Sequence, residues 1–433
     1  MKHIQSIKYF LLGLTAMGFM ACGGDDESPE PPEEVVEEPA FTVTPDPATT
    51  YQTIDGFGGA NGIFNNSLNP TASDAQKAFG TGSGDLGLSI FRIKIPYNQS
   101  DWQALIAPAQ EALKYNVKII ASPWSPPPAL KNNNDPVRGY LLESNYGEYV
   151  DHLNAFVDFM ETNGVDLYAI SIQNEPDWEA TYESCDWTAD QMVTFLADYG
   201  DQIDDRVLVA APESLNFSDD FTNAILSNNE SAQNMDIAAG HLYGGGLGPF
   251  PIAEQKGKAI WMTEYLLNLN VGDWRGADES TKWEETLTML NSIHESMGYN
   301  WNAYIWWYLK RYYSFIGDGE QGTTRGLILK RGYAFSHYSY FIRPGYTRIG
   351  LQGNSSSLRM TAYEGDGKVI IVAINPGAST VSDVGISLPS GLTSATSYTT
   401  TLTSDRVEAS PEVEEGLIMV DILPRSVVTF VLE

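Results

Sequence analysis

The chain has 433 residues, 42% hydrophobic and 12% aromatic, with 56 Asp+Glu against 25 Lys+Arg for a formal net charge of −31. That length supports one large domain or two ordinary ones, each with a full core, and so acidic a chain offers little material for the basic face a nucleic-acid binder needs. Beyond residue 21 no stretch is apolar enough to span a bilayer, while 23 Tyr and 10 Trp supply flat apolar faces of the kind that stack on sugar rings.

Lys2 and Lys8 precede an apolar run from Tyr9 to Met20 that ends at Ala21-Cys22. A short basic segment, an apolar stretch and a small residue before the cut read as an export signal over residues 1–21. The Ala21-Cys22 junction resembles the lipobox of bacterial lipoproteins, though Phe19 and Met20 are not the usual residues ahead of it. The resemblance implies acylation of Cys22 and a lipid anchor in the outer membrane. Residues 22–40 follow as a tether: eight acids, four prolines and no base cannot bury enough apolar surface to fold. The Asp25-Asp26-Glu27 run resembles the acidic surface-export signal of Bacteroidetes-type lipoproteins, which implies a cell-surface location. Besides Cys22, Cys185 is the other cysteine of the mature chain, so stability is expected from a large core rather than a disulfide framework.

From about residue 55 to 340 short apolar runs alternate with helical segments. After the turn-rich Ile54–Asn61 come Leu88–Ile95, Val117–Ser122, Leu167–Gln173, Val207–Ala211, Ile237–Leu242, Ala259–Thr263 and Ala303–Tyr308, each reading as a buried strand. Between them Trp102, Leu105, Ile106, Ala109 and Leu113 keep the spacing of one helical face. Thr188-x-x-Gln191 and Thr281-x-x-Glu284 read as capping boxes that open helices, and Asn163-Gly164 and Gly298 as helix stops. Eight strand–helix alternations in this length are the rhythm of a (β/α)8 TIM barrel. The alternative, a doubly wound open sheet, lacks its phosphate loop: Gly56-Phe57-Gly58-Gly59-Ala60-Asn61 fails the dinucleotide fingerprint at its last glycine. From about residue 348 the helices stop. Leu358–Glu364, a Gly365-Asp366-Gly367 turn and Val369–Asn375 read as a hairpin, and Val381–Leu388, Ser397–Leu402, Leu417–Leu423 and Ser426–Leu432 as further strands of a small β-sandwich.

In a barrel the working residues sit at the C-terminal ends of the strands. Glu175 ends the fourth run, in Gln173-Asn174-Glu175-Pro176, and Glu264 ends the seventh, across the mouth. Two carboxylates facing one cleft are what glycosidic cleavage needs, one to give a proton and one to attack the anomeric carbon. A lone glutamate at a strand end is more often a solvated loop acid; the proline fixing the turn after Glu175 and the Asn174 amide, able to bind a sugar 2-hydroxyl, favour the chemical reading. His152, His241, His294 and His337 show no metal-ligand spacing, and there is no Gly-x-Ser-x-Gly elbow, so no metal, cofactor or serine nucleophile is expected. Trp124, Trp178, Tyr182, Tyr243, Trp306, Trp307 and Tyr308 crowd the same strand ends as stacking platforms for a polysaccharide.

Asp55-Gly-Phe-Gly-Gly-Ala60, Ala121-Ser-Pro-Trp-Ser-Pro-Pro127, Gln173-Asn-Glu-Pro-Asp-Trp178, Tyr182-Glu-Ser-Cys185 and Phe341-Ile-Arg-Pro-Gly-Tyr346 together resemble glycoside hydrolase family 30, most of all its glucuronoxylan endo-β-1,4-xylanase group. The resemblance runs from about residue 41 to the end. It implies a barrel (55–340) fused to a side β-sandwich (341–433) that takes a strand from residues 41–54. It implies a retaining mechanism with Glu175 as acid/base and Glu264 as nucleophile, their carboxyl groups about 5–5.5 Å apart. Tyr243 would bond the nucleophile and Asn174 the 2-hydroxyl, with Trp124 and Trp307 as sugar platforms. Tyr308, Arg311 and Tyr313 would hold the glucuronate branch of the xylan, the guanidinium gripping its carboxylate. Two stretches depart from the family pattern: Tyr265–Val271 after the nucleophile, and an extra segment, Ile316–Thr324, after strand eight. The expectation is a monomeric, surface-anchored glucuronoxylanase. Its alternatives are another family 30 specificity (β-1,6-glucanase, β-xylosidase or fucosidase, glucosylceramidase-like) and a non-catalytic glycan-binding lipoprotein.

Overall fold

The computed structural model describes residues 38–269, 274–353 and 355–433. The signal sequence, Cys22 and residues 23–37 of the tether lie outside the described residues, as do Asn270 and Val271 of the strand-seven loop. Strand β1 (Phe41–Thr53) belongs to the C-terminal sheet. The next eight strands close a parallel barrel in chain order: β2 (Gly56–Ala60), β3 (Ile90–Ile95), β4 (Lys118–Pro123), β5 (Ala169–Ser171), β6 (Leu208–Ser214), β7 (Ile237–His241), β8 (Ala259–Glu264) and β9 (Ala303–Tyr308), which pairs back with β2. Helices α1 (Ala72–Phe79), α2 (Gln103–Leu113), α3 (Tyr146–Thr162), α4 (Ala189–Tyr199), α5 (Asp219–Ser227), α6 (Asn229–Gln233), α7 (Pro251–Gln255), α8 (Glu279–Gly298) and α9 (Lys330–Ser339) alternate with them.

The barrel strands read as largely apolar runs because both of their faces are covered. Ile90, Ile120, Ala169, Ala210, Ile237, Ala239, Trp261, Ala303 and Ile305 meet in one cluster inside the barrel. Their neighbours in sequence, such as Phe91, Ile119, Ile170, Val209, Ala238, Ile260 and Tyr304, join the cluster that the helices cover. Asp55 of the first sequence motif lies well away from the mouth: Lys118 Nζ bonds it at 2.8 Å and Trp261 Nε1 donates to it at 2.9 Å, tying the start of three strands. Gly58 of the same motif is needed for close approach, since a Cβ there would lie 2.3 Å from Ile90 O. Helix α4 carries the expected Thr188–Gln191 capping box. Helix α8 does not start at Thr281. Asp278 caps it instead, its carboxylate accepting from Thr281 N–H at 2.8 Å, because an acid three residues ahead of Thr281 satisfies the orphan donors of a helix that begins one turn earlier.

The remaining strands, β10 (Thr347–Gln352), β11 (Arg359–Gly365), β12 (Lys368–Asn375), β13 (Val381–Ser387), β14 (Ala395–Thr401), β15 (Ser404–Ala409), β16 (Leu417–Ile422) and β17 (Ser426–Leu432), form with β1 one sheet of order β15-β14-β17-β12-β11-β10-β1-β13-β16. Strand β1 joins its two layers, pairing with β13 through residues 41–43 and with β10 through residues 44–53. Val384, Ile386, Ile418 and Ile422 of one layer share a core with Val369, Ile371, Val428 and Phe430 of the other, so the sheet is folded over itself as a sandwich. The β11–β12 hairpin turns on Asp366-Gly367, both left-handed (φ 52° and 74°), as a two-residue turn matched to strand twist requires. Ile370, Val372 and Ile374, on the opposite face of β12 from Ile371, belong to the barrel's own core. That shared core binds the sandwich to the barrel within the single compact unit Pro39–Glu433.

Candidate active site

The period-two alternation that fills the lower barrel with Ile and Ala brings polar side chains inward at its upper end. On β3 the residue two beyond Ile90 is Arg92, fully buried. Its guanidinium donates from Nη1 to Glu264 Oε2 at 2.6 Å, from Nη2 to Asn174 Oδ1 at 2.7 Å and from Nε to Ser122 Oγ at 3.2 Å, with Nη2 also 3.2 Å from Glu213 Oε1. It lies over the Trp124 ring, 4.9 Å from the centroid. Arginine is donor-only, so its bond to Asn174 settles that amide's orientation: the oxygen faces Arg92 and the NH2 turns the other way.

Glu264, last residue of β8, accepts from Arg92 on one oxygen and from Tyr243 Oη, at 2.9 Å, on the other. Glu175 follows β5 on a left-handed backbone (φ 47°), its N–H donating to Glu213 O at 2.9 Å. Glu213 is also left-handed, at φ 54°. Such conformations cost of order 1–3 kcal/mol each and persist where the surroundings over-determine them. Glu175 Oε1 is 3.0 Å from His241 Nδ1, and Tyr182 Oη donates to Oε2 at 3.1 Å.

These groups form a buried charge cluster with separable physics. Burial alone would keep His241 neutral, but Glu264, then Glu175 and Glu213, outweigh it and carry the imidazole to about 9, so it is a cation at neutral pH. Burial opposes charge on Glu213 too, yet the Arg92 guanidinium and then His241 hold its carboxyl well below the usual range. Burial raises the Glu264 carboxyl above its ordinary value, with His241 and then Arg92 pulling the other way. With both oxygens of Glu264 accepting hydrogen bonds, the ionised form suits its setting. Burial and then Glu264 raise the Tyr243 phenol far above its ordinary value, which keeps it a donor. Glu175, His241 and Glu264 each bring one ligand atom within 4.8 Å of the others. Each of the three already has a partner within the protein, His241 Nδ1 and Glu175 in each other and Glu264 in Arg92 and Tyr243.

Above the carboxylates opens a groove of about 630 Å³ lined by Phe64, Trp124, Trp178, Tyr182, Tyr243, Leu266, Trp307 and Tyr308 as well as Glu175 and Glu264. Trp307 and Tyr308 stack at 4.4 Å, and Trp124 lies 6.0 Å from Trp307. Asn174 is buried and is not among the residues that line this groove. Arg311 and Tyr313 do not line the groove: Tyr313 is buried, and Arg311 Nη1 donates to Asp318 Oδ2 at 2.7 Å while its guanidinium lies over Tyr312, 5.0 Å from the ring centroid. Sequence reasoning missed Arg92, Glu213 and the link from Tyr182 to Glu175, and weighed His241 only as a metal ligand. The signal for them was a charged residue inside, or just past, an otherwise apolar strand run: Arg92 in Ile90–Ile95, Glu213 after Ala211 and His241 in Ile237–Leu242.

A closed (β/α)8 barrel with two carboxylates across an aromatic groove at the strand ends has the architecture of a glycoside hydrolase. The Glycosyl hydrolase family 30 TIM-barrel domain matches residues 81–239. Glucuronoxylanase XynC of Bacillus subtilis is 37% identical over 396 residues, 88% of this chain and 89% of that protein. Among solved structures, the family 30 subfamily 8 xylanase Xyn30A from Clostridium acetobutylicum superposes with a TM-score of 0.81 at 29% identity, covering 90% of this chain and 99% of that one. The endoxylanase from Clostridium papyrosolvens C71 gives 0.78 at 31%, covering 90% and 100%. The chain belongs to glycoside hydrolase family 30, and it is a glycosidase.

Proposed function

We propose that the protein is a retaining endo-β-1,4-xylanase acting on glucuronoxylan, with Glu264 as nucleophile and Glu175 as acid/base. The observation that carries the mechanism is the approach of the two carboxylates, one oxygen of each within 4.8 Å of the other. An inverting pair stands roughly 6.5–9.5 Å apart to admit water between the acid and the sugar. The substrate class rests on the relatives, a glucuronoxylanase and two xylanases.

In the first step the Glu264 carboxylate, aimed by Arg92 and Tyr243, attacks the anomeric carbon. The glycosidic C–O bond breaks, and the departing oxygen takes the proton held by Glu175. In the second step Glu175 removes a proton from water, the water oxygen bonds to the anomeric carbon, and Glu264 leaves as carboxylate. Hydrogen bonding supports this division of labour. Arg92 and Tyr243 both donate to Glu264, which orients it for attack, whereas Glu175 has no guanidinium contact among the described residues. The Asn174 NH2, turned away from Arg92, faces the work of holding the 2-hydroxyl, and Trp124, Trp307 and Tyr308 form sugar platforms. Arg311, with Tyr308 and Tyr313, recognises the glucuronate branch. Export and acylation of Cys22 place the enzyme on the outer membrane, so Cys22→Ala should move it from the membrane fraction to the soluble one.

The test is product analysis on 4-O-methylglucuronoxylan beside xylan lacking glucuronate, with the anomer of the first product followed by NMR. Acidic oligosaccharides carrying one glucuronate each, released first as β-anomers, are expected. Release from neither polymer overturns the substrate class, and a first-formed α-anomer overturns the retaining pair. Glu264→Gln should abolish turnover at an unchanged melting temperature.

A further inference from the structure

Arg311 already has a carboxylate. Asp318 is fully buried, accepts from Arg311 Nη1 at 2.7 Å on Oδ2, and accepts from Glu320 N–H at 3.0 Å on Oδ1. The Arg311 side chain is 29% exposed against 1% for Asp318, so the acid grips from within the protein and leaves the outer edge of the guanidinium toward solvent. The loop that delivers the acid is tied down. Arg311 N–H bonds Ile316 O at 2.9 Å, Gly317 N–H bonds Leu327 O at 2.9 Å, and Gly326 N–H bonds Gly317 O at 2.7 Å. Asp318 lies within Ile316–Thr324, the stretch that departs from the family pattern.

We infer that Asp318 is a specificity-determining residue: its carboxylate occupies Arg311 from within and sets how strongly the enzyme prefers glucuronate-bearing xylan. This rests on the reading of Arg311 as the branch-binding residue. A carboxylate arriving from substrate meets a guanidinium whose charge is already matched and one of whose five N–H donors is taken. The internal competitor is held by the chain at high effective concentration, so no substrate concentration displaces it by mass action alone. The branch is left with the remaining edge and a weakened field, and discrimination between decorated and bare xylan falls accordingly.

The experiment compares kcat/KM on xylo-oligosaccharides with and without one 4-O-methylglucuronate, in the native protein, Asp318→Asn, Arg311→Ala and the double variant. Asparagine keeps the shape and one accepting oxygen but removes the charge. Asp318→Asn should raise the decorated-to-bare ratio by roughly tenfold, the order of one charge-assisted hydrogen bond, through a lower KM on the decorated substrate and with no change on the bare one. Arg311→Ala should bring the ratio near one, and the double variant should match it. An unchanged ratio in Asp318→Asn, with Arg311→Ala responsive, overturns the role of Asp318 alone. A lowered ratio does so as well, by making Asp318 a positioning residue for Arg311. If Arg311→Ala leaves the ratio untouched while the enzyme still cleaves xylan, the branch reading fails and takes this inference with it.

Discussion

Arg92 is the residue on which the site's electrostatics turn. One guanidinium spans Glu264, Asn174, Glu213 and Ser122, a fork that a lysine ammonium cannot reproduce. Arg92→Met should therefore cost both activity and stability, the latter by about 3–5 kcal/mol, because it strands buried carboxylates without their partner. Urea unfolding of Arg92→Met and of Arg92→Met with Glu213→Gln separates the two effects. The second substitution removes the stranded charge and should recover much of the stability, yet restore no turnover, since Glu264 still lacks its donor. Recovery of both would show that Arg92 serves the fold alone. Tyr243→Phe deletes one donor to the nucleophile without changing ring packing; kcat should fall by roughly 10–100-fold at an unchanged melting temperature, on the scale of losing one oriented donor. Glu175 and Glu264 were legible in the sequence because proline, asparagine and strand-end position mark them locally. Arg92, Glu213 and His241 acquire their meaning only when β3, β6 and β7 are brought together in one barrel, which no local pattern encodes.

At the level of elements, the strands that were readable are those whose burial leaves a compositional trace. All eight barrel strands are buried on both faces and mostly apolar, and β12 and β17 likewise, since one face meets the sandwich core and the other the barrel. Strand β10 offers only Ile349 and Leu351 among Thr, Arg, Gly and Gln, and edge strand β15, Ser-Asp-Arg-Val-Glu-Ala, has one large apolar residue. Both were missed because their pairing is supplied by neighbours rather than by a hydrophobic run. Strand β1 is the other element whose importance is topological. It alone carries hydrogen bonds to both β10 and β13, so it holds the two sandwich layers in one sheet. Val43 is its fully buried residue in the shared core. Val43→Asp should thus place an unpaired charge between the layers and lower the thermal midpoint sharply, whereas Thr49→Asp, on an exposed stretch of the same strand, should change it little. Equal effects of the two would mean that β1 is peripheral to the sheet's stability.

Across the whole molecule, stability should follow pH through buried histidines of opposite kinds. Burial pushes His152, packed against Trp102 and Tyr149, down to about 4, and His337, held between Thr429 and Thr400 at 2.8 Å each, down to about 3. Unfolded, both titrate near 6.5, so below that pH the unfolded chain binds protons that the folded one refuses. Each histidine then costs about 1.4 kcal/mol per pH unit as the pH falls from 6.5 toward its folded value. His241 has the opposite sign. Carried to about 9 by its carboxylates, it contributes stability that is fully present below 6.5 and is lost as the pH rises through 9. The exposed acids behind the charge of −31 repel one another and favour a lower pH, but at 0.15 M salt that repulsion is screened beyond about 8 Å, whereas the buried imidazoles are not. The melting temperature should therefore peak near pH 6.5 and fall more steeply on the acid side, where His152, His337 and His294, itself pushed down to about 4 by burial, all act, than on the alkaline side, where His241 does. His337→Gln keeps a hydrogen-bonding side chain between the two threonines and removes one titration, so it should flatten the acid limb and leave the alkaline limb unchanged. A midpoint that does not move between pH 6.5 and 5, or an acid limb indifferent to His337→Gln, would show that these imidazoles reach water before the fold gives way.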